Sequence, residues 1–194
     1  MSRTIRLAAP ADAAAIAAIY APFCTNTSIT FETVALSTEA MAERMRGLGK
    51  KYPWLVMEVD GVVAGYAYAA PYHERAAFLW STVVSVYIDE RHRRTGVGRD
   101  LYRSLFAVLR LQGFVHAIAG ITLPNEPSVR LHEALGFKLI GIYPQVGFKL
   151  GDWRDVGWWQ LPLADPLPSD PPEPQSIAKI VQCPEFSAAV GLAF

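Results

Sequence analysis

Cysteine is nearly absent: Cys24 and Cys183 are the only two in 194 residues. Two are too few for a disulfide scaffold, and a reducing, cytoplasmic setting is the expectation. No stretch approaches the roughly 20 apolar residues of a membrane span, and the N-terminus carries no apolar signal core. There is no charge of one sign in excess, because 18 Lys and Arg meet 18 Asp and Glu. Without a basic surplus or a long Lys/Arg run, nucleic acid is not an expected partner. What the chain does have is apolar residues, 52% of the total against 19% charged, enough for one well-buried domain.

Periodicity divides the chain into elements. Ile5–Leu7 reads as a strand stopped by Pro10, and Asp12 is placed to cap a helix over Ala13–Tyr20. Ser37 or Thr38 opens a second helix, Glu39–Leu48. Trp54–Val59 and Val62–Ala70 are strands joined by Asp60-Gly61, a hairpin signal because a type I′ turn needs positive φ at both positions. Trp80–Ile88 is a further strand, and Val97–Leu111 an amphipathic helix stopped by Gly113. Strand Val115–Ile121, helix Glu126–Leu135, strand Phe137–Tyr143 and strand Trp153–Leu161 follow. Hairpins before strand–helix–strand units predict a mixed α/β (α+β) sheet with one parallel crossover. Five prolines between Pro166 and Pro174 predict a domain over 1–164 and an extended linker and tail over 165–194, whose last twenty residues hold a short apolar run able to dock onto the domain or onto a partner.

The most informative segment is Arg91-His92-Arg93-Arg94-Thr95-Gly96-Val97-Gly98-Arg99, between a strand and a helix. Free amides at a helix N-terminus, backed by the helix dipole, attract anions. Gly96 and Gly98 let a phosphate approach the backbone, and the arginines add positive charge. A dinucleotide fingerprint would need a third glycine where Leu101 stands, and the Gly-Lys-Ser/Thr of a P-loop is absent.

Arg93-Arg94-Thr95-Gly96-Val97-Gly98 resembles the Gln/Arg-x-x-Gly-x-Gly/Ala motif with which the GNAT superfamily of N-acetyltransferases holds the pyrophosphate of acetyl-CoA. Leu123-Pro124-Asn125 through Gly136-Phe137 resembles the family's second CoA-side motif. Val146–Lys149 and Asp155–Gln160 are similar to the phosphinothricin and methionine-sulfone acetyltransferase branch. The resemblance spans about Ile5 to Leu163. It implies a mostly antiparallel twisted sheet with a splayed parallel pair and flanking helices, a homodimer, and acetyl-CoA as co-substrate with no metal. The acceptor it implies is the amine of a small amino-acid-like molecule. Val86, Tyr87, Ile88, Arg93, Arg94, Thr95, Gly96, Val97, Gly98, Arg99, Asn125 and Ser128 would hold the cofactor, with a Val86 or Tyr87 amide facing the thioester oxygen. Phe31, Tyr72, Arg75 and Trp159 would line the acceptor site.

The proton-transfer half departs from that pattern. An alkylammonium must lose a proton before it attacks, yet Val83 stands where the resembled branch has an acid. Where those enzymes read Trp-His-Asp-Val, this chain reads Trp153-Arg154-Asp155-Val156. Glu32, Asp155, and His73 and Glu74 on a nearby loop are the candidate substitutes for that base. His132 falls where many relatives carry a tyrosine that protonates CoA. His132-Glu133 does not begin a zinc motif, because the second histidine would fall at Gly136. Acetylation of a peptide N-terminus, or cofactor sensing without catalysis, are the competing readings.

Overall fold

The structure is a computed structural model and describes residues 2–191. Seven strands form one mixed sheet in the order β1-β2-β3-β4-β5-β7-β6. They are β1 (Arg3–Leu7), β2 (Trp54–Val59), β3 (Val62–Pro71), β4 (Ser81–Ile88), β5 (His116–Leu123), β6 (Lys138–Lys149) and β7 (Asp152–Pro162). All neighbours are antiparallel except β4 and β5. The helices are α1 (Ala13–Asn26), α2 (Thr38–Leu48), α3 (Val97–Gln112), α4 (Glu126–Ala134), α5 (Ile177–Ile180) and α6 (Glu185–Gly191).

Strand alternation sorts the core into two halves. Leu55, Met57 and Val59 of β2 pack with Leu101, Leu105 and Leu109 of α3 on one face. Trp54 and Val56 pack with Ile16 and Tyr20 of α1 and Met41 of α2 on the other. Helices therefore cover both faces of the sheet. The Asp60-Gly61 hairpin forms as expected, with φ of 49° and 80°.

Three local expectations are corrected. Asp12 begins α1 but gives its carboxylate to Arg6, at 2.7 and 2.8 Å, and to the Ala9 amide rather than to the helix. α1 runs through Pro22 to Asn26, because Phe23 and Cys24 are buried beyond the proline. β6 continues past Pro144 to Lys149 through register shifts against β7, where the sequence suggested a stop at Tyr143.

The proline-rich segment returns to the domain. The Trp80 indole N–H donates to Pro172 O, the Gln112 side chain donates to Gln175 O, and the Ser104 hydroxyl donates to Val190 O. Ile177, Ile180, Ala189 and Val190 join the same apolar cluster as α3. Residues 165–191 thus cover the outer side of α3 with apolar side chains drawn from both α5 and α6.

Candidate active site

The site begins with a short piece of parallel pairing. β4 and β5 pair only through Ser81–His116, Thr82–Ala117 and Val83–Ile118. Beyond Val83 the strands part, while β4 stays paired to β3 and β5 to β7. The wedge between them is lined by Val86 and Tyr87 from β4, Gly120 from β5, Asn125 and Ser128 at the start of α4, and His132.

At one end lies the glycine turn. Arg94 and Gly96 take φ of 62° and 91°, a conformation that glycine adopts without strain. Gly96 is the N-cap of α3 and offers no side-chain cap, so the first-turn amides stay available to an anion. The cavity here measures about 440 Å³. Arg93, Arg94, Gly96, Val97, Gly98 and Arg99 line it together with Ile88, and none of its lining residues is acidic. Arg3 braces the turn by donating to Thr95 O at 2.9 Å. Asn125 lines the wedge while its Oδ1 accepts the Ser128 N–H as the N-cap of α4.

At the other end is a cavity of about 620 Å³. Phe31, Val83, Tyr87, Tyr143, Phe148 and Trp158 form much of its wall. Ile29, Tyr87, Gly120 and Thr122 belong to both this cavity and the wedge, which joins the two spaces.

His132 is buried in the wedge wall. Its Nδ1 lies 2.7 Å from Ser128 O, which assigns the proton to Nδ1 and leaves Nε2 to accept from the Tyr102 hydroxyl at 3.1 Å. Burial pushes the imidazole pKa below its usual value, with the Ser128 carbonyl opposing. The ring is therefore neutral at pH 7. Burial also raises the Tyr102 phenol far above its usual range.

The other acceptor-side candidates lie outside this cavity. Trp159 is buried on the opposite face of β7, where its indole N–H points to Glu133 at 3.3 Å. Alternation brings Trp158 to the cavity instead. Tyr72 and Arg75 lie on the segment between β3 and β4 and do not line the cavity; Tyr72 packs edge-on against Phe78. Glu32 is held by Arg44 at 2.7 Å, and Asp155 accepts the Gln145 N–H at 2.8 Å. Neither carboxylate is among the lining residues. Tyr102, Thr122, Tyr143 and Phe148 were not singled out by the sequence. Only their alternation on strands or spacing on α3 would have pointed inward, and that needs the register.

A family description of an acetyltransferase (GNAT) domain matches residues 5–158. A phosphinothricin N-acetyltransferase of Streptomyces viridochromogenes is 42% identical, covering 88% of this chain and 93% of its own length. An L-methionine sulfoximine/L-methionine sulfone acetyltransferase of Salmonella typhimurium is 38% identical over 82% of this chain and 94% of its own. Among solved structures, a GNAT superfamily phosphinothricin acetyltransferase from Sinorhizobium meliloti in complex with AcCoA superposes with a TM-score of 0.85. It is 35% identical, over 89% of this chain and 95% of that one. With its splayed β4–β5 pair and arginine-rimmed glycine turn, this chain belongs to the GNAT family of acetyltransferases.

Proposed function

We propose that this protein transfers the acetyl group of acetyl-CoA to the amine of a small amino-acid-like acceptor, of the phosphinothricin or methionine-sulfone type. The observation that supports it most is the opening of the sheet after Val83, with an arginine-rimmed glycine turn at one end and an aromatic cavity at the other. Solved relatives bound to acetyl-CoA support the choice of cofactor.

The residues present fit that cofactor. A Cβ on Gly98 would reach Leu131 at 3.4 Å and Ile88 at 3.7 Å, both cradle residues, so the absent side chain leaves room beside the helix amides. Arg93, Arg94 and Arg99, with the backbone of Thr95, Gly96, Val97 and Gly98, would hold the pyrophosphate. Ile88, Asn125 and Ser128 would flank the pantetheine arm. When bound, acetyl-CoA supplies the activated thioester.

The chain's own groups do the rest. A Val86 or Tyr87 amide, on the stretch of β4 without a β5 partner, donates to the carbonyl oxygen as charge develops there. Phe31 and Trp158 enclose the acceptor. No carboxylate or imidazole lines the acceptor cavity, and Val83 occupies its wall. The amine therefore enters in its neutral form and gives its surplus proton to solvent after attack. Tyr102 and His132 order the wedge wall through their hydrogen bond, and the departing thiolate, a weak base, takes its proton from solvent. Glu32 and Asp155 support the walls and not the chemistry.

The test is thiol release from acetyl-CoA against free amino acids, methionine sulfone, phosphinothricin and polyamines. Acceptor-dependent release above hydrolysis is expected. Tight cofactor binding with no release across the panel overturns the reading in favour of an acyl-CoA sensor, the alternative that Val83 supports.

We further propose a homodimer through β6. Leu139, Ile140, Ile142, Tyr143 and Val146 are all exposed along that edge strand, an unusual apolar row for a lone surface. Ile140→Asp should shift the sedimentation of the protein from dimer to monomer, and a monomeric parent protein overturns this. Two free cysteines support a cytoplasmic setting, and the balanced charge supports a small-molecule partner over nucleic acid. Among the described residues no helix is long and apolar enough to cross a membrane.

A further inference from the structure

Residues two apart on a strand share a face, and so do directly paired residues on neighbouring strands. On β7 this groups Arg154 with Val156 and Trp158, and it sets Arg154 opposite Gly147 of β6. Val156, Trp158 and Gly147 all line the acceptor cavity. A Cβ on Gly147 would fall 2.1 Å from the Phe31 ring, so this face looks onto the Phe31 wall. Arg154 continues the same face by one step, just beyond the residues that line the cavity.

The cavity lining itself carries no charge. Its polar side chains are the hydroxyls of Thr30, Tyr87, Thr122 and Tyr143 and the indole of Trp158. An amino-acid acceptor would bring a carboxylate into this space, and an unpaired carboxylate in an apolar cavity is strongly disfavoured. The cation nearest along this face of β7 is Arg154.

The guanidinium is only partly used. One Nη lies 3.3 Å from Asp152 Oδ2, but that carboxylate is 63% exposed and solvated. The Nε atom is buried and has no hydrogen-bond partner among the described residues. The Trp158 indole nitrogen, on the same face, is also buried and unpartnered. A buried donor left without an acceptor costs about 1–3 kcal/mol, and native proteins seldom keep one without a reason. Both nitrogens are closed off from solvent, which leaves the Nη groups, on a side chain 26% exposed, as the donors open to an oxygen-rich anion.

We infer that Arg154 binds the carboxylate of an α-amino-acid acceptor, its Nη–H groups donating to the carboxylate oxygens, and thereby selects free amino acids over amines lacking that group. This rests on the acetyltransferase reading above. The planar guanidinium suits a carboxylate, and its placement on a strand fixes it relative to Trp158 and Phe31. The apolar walls then receive the side chain, and the amine is left toward the wedge.

The experiment compares the free amino acid that turns over best with its own methyl ester, which keeps the amine and side chain and removes the charge. The parent protein should favour the acid. Arg154→Met should lower the acid-to-ester ratio of kcat/KM at least tenfold, through the KM of the acid, and Arg154→Lys should restore part of it. Acetyl-CoA affinity measured by calorimetry should stay within twofold in both variants, showing that the fold is kept. An acid-to-ester ratio that does not change in Arg154→Met overturns the inference, as does a parent protein that prefers the ester. Those results leave N-acetylation standing, whereas no thiol release with any amine removes the acetyltransferase reading and this inference with it.

Discussion

The ammonium of Lys149 lies 2.6 Å from the carbonyl oxygen of Thr30. It also donates to Glu32 O at 2.7 Å and to Phe23 O at 3.2 Å, although the side chain is buried and burial pushes its pKa down. Three carbonyls from the end of α1 and the following segment thus converge on the last residue of β6. Thr30 and Phe31 line the acceptor cavity, so this one side chain ties that wall to the opposite one.

Lys149→Met should therefore leave three carbonyls short of a donor. The expected cost is about 2–3 kcal/mol of stability by urea unfolding, together with a severalfold rise in acceptor KM. Cofactor affinity should barely move. A variant with parent-like KM would show that the segment holds its shape without the ammonium.

Val83 leads to a pH prediction. With no ionisable base in the cavity wall, log kcat/KM should climb with a slope near one until the acceptor amine itself is neutral. Acceptors of lower amine pKa should reach their plateau at lower pH. Val83→Glu should raise the rate at pH 7 by about tenfold or more, on the scale of general-base catalysis. A profile that levels off near pH 7 for every acceptor would reveal a base that the cavity wall does not display.

His132 makes stability sensitive to acid. Its folded pKa lies below the usual 6.5, so the unfolded chain takes up a proton that the buried ring resists. Its contribution is fully present above pH 6.5 and is lost as the pH falls below that value. The stability measured by urea unfolding should drop between pH 7.5 and 5.5, by at most about 1.4 kcal/mol per pH unit from this group. His132→Gln should flatten that dependence, and an equally steep dependence in the variant assigns it to other groups.

Ile180 tests whether the tail is part of the core. It is 1% exposed and packs in the cluster of α3. Ile180→Ala should cost about 2–5 kcal/mol, the range for a large buried aliphatic side chain. A loss below 1 kcal/mol would mean that residues 165–191 rest on the domain without supporting it.

The order of elements and the glycine turn were legible because they depend on local chemistry. Asp60-Gly61 turns a hairpin by its own φ preferences, and Gly96, at positive φ, stands as the N-cap of α3. The acceptor side was not legible for a reason particular to β7. Trp158 and Trp159 are adjacent and similar, and both faces of the strand are covered, so composition does not tell which tryptophan faces the cavity. Register decides it, and register is set by pairing with β5 and β6. The tail was legible as an apolar run able to dock, but not where it docks. Its prolines dominate the composition, while the few residues that dock it, Ile177, Ile180 and Val190, are spread over two short helices. Glu32 was conspicuous as a carboxylate, but sequence could not show that Arg44 claims it.

Because β4 and β5 share only three residue pairs, this sheet has two rims in its middle as well as those at its borders. Backbone groups on the facing sides of Val84–Ile88 and Ala119–Leu123 lack a strand across from them. A molecule bearing amide groups, threaded into the gap, would act as an eighth rung and knit the two halves of the sheet together. Cofactor loading should then slow amide hydrogen exchange along both facing stretches, so that the ligand needed for chemistry also completes the architecture.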